Sequence, residues 1–144
     1  MILSISVTKQ TLSRSRKTAI VYLFLTFFFF IFSRIYISLS YGELSFFMNY
    51  LFLVPLIGGA SILIILHFLP SLSRVSFNLW NSGIAIFTSG FLLRGIINLS
   101  GRSTTLDKPY WLLGSIFLLF SLMSIVFTLF VSKNELKNKL DTSR

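Results

Sequence analysis

Length, composition and charge point to a membrane protein and exclude several other classes. The chain has 144 residues, of which 54% are hydrophobic and only 12% are charged, whereas soluble domains carry about 25% charged residues. Because cysteine is absent, disulfides, thiolate nucleophiles and cysteine-based metal sites are excluded.

Four apolar blocks follow one another along the chain, at about 18–39, 50–69, 78–98 and 110–131. Each has ~20 residues, which is enough to cross ~30 Å of hydrocarbon as an α-helix. None contains Asp or Glu, and in lipid the backbone groups of a block must pair within it, as they do in a helix. We therefore predict an all-α, four-helix transmembrane bundle, with a basic cytoplasmic segment at 1–17 and a cytoplasmic tail at 132–144.

The net charge of +9 indicates orientation rather than nucleic-acid binding. Nine of the thirteen basic residues precede the first predicted helix, follow the fourth, or lie between the second and third. These are Lys9, Arg14, Arg16, Lys17, Arg74, Lys133, Lys137, Lys139 and Arg144. The positive-inside rule then predicts a multi-pass protein of the cell membrane with both termini in the cytoplasm, attracted to anionic lipid.

An internal similarity appears when the chain is shifted by 60 residues. The shift aligns Arg34 with Arg94, Ile37 with Ile97, Leu39 with Leu99 and Ser40 with Ser100. We interpret this as a duplicated helical hairpin, with helices 1–2 repeated as helices 3–4. Coincidence in a chain of biased composition is the alternative.

The aligned arginines lie near the outer ends of the first and third predicted helices. Each guanidinium can extend to the lipid headgroups, which is the first interpretation. The second is that the two flank an outer vestibule and bind a phosphate or carboxylate, unless Glu43 and Asp107 pair with them internally. The predicted ligand-binding residues are Arg34, Arg94, Tyr41, Glu43, Asn98 and Arg102.

Small and hydroxyl-bearing residues recur at helical spacing and predict the faces on which helices pack. In the fourth helix these are Tyr110, Gly114, Ser121, Ser124, Thr128 and Ser132, in the third Asn78, Ser82, Ala85 and Ser89, and in the first Tyr22, Thr26 and Ser33. A second track on the third helix holds Gly83 and Gly90. The polar helix-face residues predicted to matter most are Asn78, Asn81, Ser82, Ser89, Ser121 and Ser124.

The second predicted helix contains Pro55, Gly58 and Gly59. Proline removes one backbone hydrogen bond and is expected to bend the helix. The two glycines would allow a neighbouring helix to approach closely there.

Catalytic and metal-binding groups are scarce. The single histidine, His67, lies near the cytoplasmic end of the second predicted helix, and no acidic residue lies within a predicted helix. Metal sites need clustered ligands, and ion-driven transport usually uses an acidic residue within the membrane. We therefore expect no metal, no cofactor, no enzymatic activity and no active pump.

Two stretches, "FFMNYLFLVPLIGG" (46–59) and "NLWNSGIAIFTSGFLLRGIINLSGRS" (78–103), resemble a family of small, uncharacterised four-span integral membrane proteins of Gram-positive bacteria. That family's pattern has a Ser-His-Gly run before the Met, where this chain has "YGELS" (41–45). The resemblance implies a four-span fold and brings no activity with it.

Together these features predict a non-catalytic integral membrane protein. It would bind a partner protein or an anionic lipid or other ligand through the outer vestibule with its paired arginines. Its partners would be membrane lipids, a second copy of the chain or another membrane protein, and not nucleic acid. The alternative is a small-solute carrier or channel subunit that works as an oligomer.

Overall fold

The computed structural model of the protein describes residues 2–40, 44–69, 72–103 and 105–142, which form five helices and no strand. The helices are α1 (Ile2–Ser38), α2 (Phe46–Asn49), α3 (Leu53–Phe68), α4 (Arg74–Leu99) and α5 (Lys108–Thr142). The prediction of an all-α protein is confirmed.

Three stretches are long and apolar enough to cross a membrane: Arg14–Ser38, Arg74–Leu99 and Lys108–Val131. The second predicted span, 50–69, is different, because it begins in the turn after α2 and becomes helical only in α3. At ~1.5 Å per residue, the 16 residues of α3 extend about 24 Å, which is less than the ~30 Å hydrocarbon core. The described residues therefore form three helices of spanning length and a shorter apolar helix, α3.

The interruption before α3 has local causes. Ser45 caps α2, because its side-chain oxygen accepts a hydrogen bond from the Met48 N–H, and α2 ends after four residues. Pro55 lies in the first turn of α3, where its missing N–H would have no helical partner in any case. The expectation that Pro55 bends a continuous helix is therefore wrong: the chain turns before the proline, and the helix starts beside it.

The helices pack in the order α1, α3, α4, α5, with α2 against both α1 and α4. Glycines allow the close approaches. A Cβ atom at Gly58 would lie 2.6 Å from Ile84 of α4, one at Gly59 would lie 2.6 Å from Tyr22 of α1, and one at Gly83 would lie 2.8 Å from Leu118 of α5. The predicted packing roles of these glycines are confirmed.

Two of the three predicted polar faces lie between helices. On α5, Ser121 is buried and donates to the Ser76 carbonyl at 2.9 Å, and Ser124 shares a hydrogen bond with Ser76 at 2.6 Å. On α1, Tyr22 and Ser33 are buried. Such bonds stabilise helix pairs in lipid by about 0.6 kcal/mol each.

The predicted polar face of α4 does not pack. Asn78, Ser82, Ala85 and Ser89 are exposed. The face with Ser76 and Gly83 meets α5 instead, about half a turn around α4 at 3.6 residues per turn. The expectation that this stripe faces a neighbouring helix is therefore wrong, because the glycine side of α4 permits the closer contact.

The contact between Gly59 and Tyr22 provides a test of the packing. We expect Gly59→Leu to lower the free energy of unfolding by about 1–3 kcal/mol, because the new side chain must displace the base of the Tyr22 ring. The measurement is denaturant unfolding in detergent micelles. Ala60→Leu, at an exposed neighbouring position on α3, is the matched control and should be close to neutral. Equal stability of the two variants would contradict the α1–α3 packing.

Candidate functional site

A partly buried ion pair lies at the end of the bundle where α4 finishes and α5 begins. The Arg94 Nη1 lies 2.7 Å from the Asp107 Oδ2, and the Trp111 Nε1 donates to the same oxygen at 2.8 Å. The carboxylate side chain is 3% exposed, and that of the arginine is 35% exposed. The Asp107 carbonyl also accepts the first hydrogen bonds of α5, from Tyr110 and Trp111.

Aromatic rings surround this ion pair. The Arg94 guanidinium carbon lies 5.3 Å from the centroid of the Phe47 ring, and Trp111 contacts Phe47, Phe87 and Phe91. The hydrogen bond from Trp111, followed by that from Arg94, holds the pKa of Asp107 below its ordinary value of 3.8, although burial acts in the opposite direction. The carboxylate is therefore charged at neutral pH and neutralises Arg94.

The residues of the predicted paired-arginine site lie in different surroundings. Arg34 is exposed on α1, with its guanidinium carbon 5.3 Å from the Phe30 ring centroid. Arg94 is engaged by Asp107, which is the internal pairing that the sequence left open. Arg102 is exposed in the loop after α4, and Asn98 is partly buried in the last turn of α4. Within the described residues, no hydrogen bond or ring contact joins the two aligned arginines.

Two residues of that predicted site, Tyr41 and Glu43, lie outside the described residues. The six polar helix-face residues do not converge either. Ser121 and Ser124 bond to Ser76 between α4 and α5. The exposed Asn78, Ser82 and Ser89 lie on the other side of α4, and Asn81 bonds to α1.

A second candidate site is a lateral groove of about 560 Å³ between α1 and α4. Pro55 of α3 forms part of its lining. The α1 wall includes Lys17, Val21, Leu25 and Phe29, and the α4 wall includes Phe77, Asn81, Ala85, Ser89 and Leu92. We call this site the lateral groove and refer to its two ends as the Lys17 end and the Phe29 end.

The lateral groove exists because α1 packs closely on α3 but not on α4. At the Phe29 end, α2 fills the space between them. Met48 is fully buried, its carbonyl accepts a hydrogen bond from the Ser33 hydroxyl at 2.6 Å, and Gly95 leaves room for its backbone. The two long helices are thereby kept apart, and the space beyond α2 remains open except where the Tyr22 side chain reaches Asn81.

The lining of the lateral groove changes from polar at the Lys17 end to apolar toward the Phe29 end. At the Lys17 end, the Tyr22 hydroxyl donates to the Asn81 Oδ1 at 2.7 Å. Arg14 donates to the Leu72 carbonyl at 3.1 Å, and its guanidinium carbon lies 4.5 Å from the Phe77 ring centroid. Toward the Phe29 end the lining becomes apolar.

The hydroxyl groups of the lining do not make this surface polar. Thr18, Thr88 and Ser89 donate to the carbonyls of Arg14, Ile84 and Ala85 in their own helices. Their remaining surface is largely aliphatic. The lateral groove thus suits a molecule with one polar end and a long apolar part.

Sequence reasoning missed the lateral groove. The line Lys17, Val21 and Leu25, spaced four residues apart, marks one face of a helix, but spacing alone does not show that this face lacks a packed neighbour. The described residues contain no group of three metal-binding side chains, and His67 is exposed near the end of α3. Neither finding adds a further candidate site among the described residues.

Comparison with models of protein families, with curated proteins and with solved structures gives no match for the chain. The two sites described above are therefore the basis for inferring its function.

Removing one partner of the ion pair should destabilise the fold. Arg94→Gln leaves a buried carboxylate without its counter-ion, and we expect the free energy of unfolding to fall by about 1–3 kcal/mol. Asp107→Asn added to that variant should recover part of the loss, because no buried charge then remains. Arg102→Gln, at an exposed position, is the control. Additive losses in a double-mutant cycle would contradict a coupled pair.

The same pair predicts how stability depends on pH. Because the folded-state pKa of Asp107 lies below 3.8, its contribution is complete above that pH and is lost as the pH falls through the lowered pKa. The difference in unfolding free energy between the natural chain and Asp107→Asn should stay constant between about pH 8 and pH 5 and shrink below about pH 4. A difference that changes between pH 5 and 8 would contradict the lowered pKa.

Proposed function

We propose that the protein is a non-catalytic integral membrane protein that binds a lipid of the surrounding bilayer in the lateral groove. The observation that carries the proposal is the 560 Å³ space, open between α1 and α4, apolar for most of its length and polar at the Lys17 end. Three helices of spanning length support a membrane location. Within a bilayer, such a space would be filled by lipid.

The dimensions of the lateral groove fit one leaflet. From Lys17 to Phe29 the α1 wall extends about 18 Å at ~1.5 Å per residue. One leaflet contributes about half of the ~30 Å hydrocarbon core. The volume also lies within the range of about 300–1,000 Å³ that is typical of sites for small molecules.

The proposal includes four membrane crossings with both termini in the cytoplasm. In this arrangement α2, the following turn and α3 together make the second crossing. The distribution of basic residues supports it, since nine of thirteen lie in the first 17 residues, at the first residue of α4 or after Val131. The Lys17 end would then lie in the cytoplasmic leaflet and the Arg94–Asp107 pair at the outer surface.

The duplicated hairpin remains a proposal as well. Packing of α1 on α3 and of α4 on α5 is consistent with two hairpins. The aligned arginines differ in surroundings, because Arg34 is exposed on Phe30 and Arg94 is paired with Asp107. Of the predicted outer residues, Arg34 and Arg102 are exposed, so we propose that they contact headgroups, while Arg94 stabilises the fold.

The alternative of a small-solute carrier is less well supported. A polar path would need Asn78, Ser82 and Ser89 to line one channel with Ser121 and Ser124. The first three are exposed, and the last two bond to Ser76 on the other side of α4. The described residues therefore offer no continuous polar lining.

Filling the lateral groove tests lipid binding. Ala85 lines the groove, and we expect Ala85→Phe to reduce the lipid that remains with the purified protein several-fold, because the ring occupies the space of an acyl chain. The measurement is quantitative lipid mass spectrometry after extensive washing in detergent. Ala60→Phe, at an exposed position on α3 outside the groove, is the matched control and should retain lipid.

Folding of both variants is checked by circular dichroism and by the unfolding midpoint. If Ala85→Phe does not fold, Leu25→Trp on the opposite wall provides the second variant. Unchanged lipid retention in a folded groove variant, or equal losses in Ala60→Phe, would contradict the proposal.

A further inference from the structure

We infer that the lateral groove selects a phospholipid with an anionic headgroup, whose phosphate is bound at the Lys17 end with Lys17 as the charge contact. This inference rests on the proposed lipid binding and adds the class of lipid to it. It differs from the predicted outer site, since it places anion recognition at the opposite end of the bundle from Arg94.

The first argument is the charge at the Lys17 end. Lys17 is exposed and lines the groove, and its ammonium group is a mobile donor suited to phosphate. Arg14 lies one turn earlier in α1 and is held in place by the Leu72 carbonyl and by the Phe77 ring, which itself lines the groove. Two positive charges therefore flank the opening, and one of them is fixed by the fold.

The second argument is the lack of a counter-charge. The described lining of the lateral groove has no acidic residue. The ammonium group of a zwitterionic headgroup would find no carboxylate there. An anionic headgroup, by contrast, would complement Lys17 and Arg14 without introducing a charge of the wrong sign.

The third argument concerns hydrogen bonding below the charged opening. The Asn81 Oδ1 is occupied by the Tyr22 hydroxyl at 2.7 Å. This fixes the amide, and its N–H groups find no acceptor among the described residues. Asn81 lines the groove between the charged end and the apolar walls, so its N–H groups are available to the ester oxygens of a phospholipid held at Lys17.

The same features disfavour another occupant, a helix from a second copy of the chain. In a symmetric dimer across this face, Lys17 and Arg14 of each copy would approach those of the other, and like charges that face each other in an interface repel. The apolar part of the groove, which includes Val21 of α1 and Leu92 of α4, would accept either occupant. The charged end therefore decides between them.

The experiment uses the full-length protein in nanodiscs of equimolar phosphatidylglycerol and phosphatidylcholine. Native mass spectrometry after mild release counts the bound lipids of each class. For the natural chain we expect phosphatidylglycerol to exceed phosphatidylcholine by about tenfold, the factor that corresponds to one charge-assisted contact. Lys17→Gln should reduce this preference to about twofold or less, and Lys17→Arg should preserve it.

The matched control is Arg16→Gln. Arg16 is exposed beside Lys17 but does not line the groove, so its loss lowers the net charge equally and should leave the preference unchanged. Equal effects of Arg16→Gln and Lys17→Gln would overturn the inference, because the preference would then follow net charge.

The outcomes separate this inference from the proposed function. Loss of bound lipid in Ala85→Phe with an unchanged preference in Lys17→Gln overturns the inference alone. Unchanged bound lipid in a folded Ala85→Phe, together with an unchanged preference in Lys17→Gln, overturns the proposed function as well. Displacement of phosphatidylglycerol from the natural chain by equimolar oleate overturns the assignment to a phospholipid. A dimer that retains no lipid overturns the inference in favour of a second copy of the chain in the groove.

Discussion

The insertion of Met48 between α1 and α4 is the contact on which the lateral groove depends. Met48 is fully buried, its carbonyl is bonded by Ser33 of α1, and Gly95 of α4 gives its backbone room. A side chain at Gly95 would bring a Cβ to 3.1 Å from the Met48 nitrogen. Since α2 occupies one end of the α1–α4 space, the rest of that space cannot close without moving α2. A single short helix thereby determines where the proposed lipid would bind.

The charged residues at the two ends of the bundle have different surroundings, and we propose different roles for them. At one end, Arg94 is neutralised by a buried carboxylate and joins α4 to the start of α5. At the other end, Lys17 is exposed beside the lateral groove, whose described lining residues include no Asp or Glu. Removing Arg94 would leave its buried partner uncompensated, so this arginine stabilises the fold, whereas Lys17 is the residue that we propose binds a phosphate.

The sequence was sufficient to predict helices, and for a physical reason: long apolar blocks in hydrocarbon must satisfy their backbone groups internally. It also predicted the hydroxyl face of α5, where Ser121 and Ser124 meet Ser76. It did not predict the break before α3, because the residues around Pro55 are as apolar as their neighbours. Helical spacing shows which residues share a face but not which neighbour covers it, so the stripe from Asn78 to Ser89 was misplaced and the lateral groove was missed.

The most direct test of lipid binding in the lateral groove is an experimental structure of the protein in a lipid bilayer containing phosphatidylglycerol. We predict elongated density for an acyl chain between Leu25 and Ala85, with its headgroup beside Lys17 and with α1 and α4 still apart. Direct contact of α1 with α4 along Val21 and Ala85, or a helix of a second copy in that space, would contradict it.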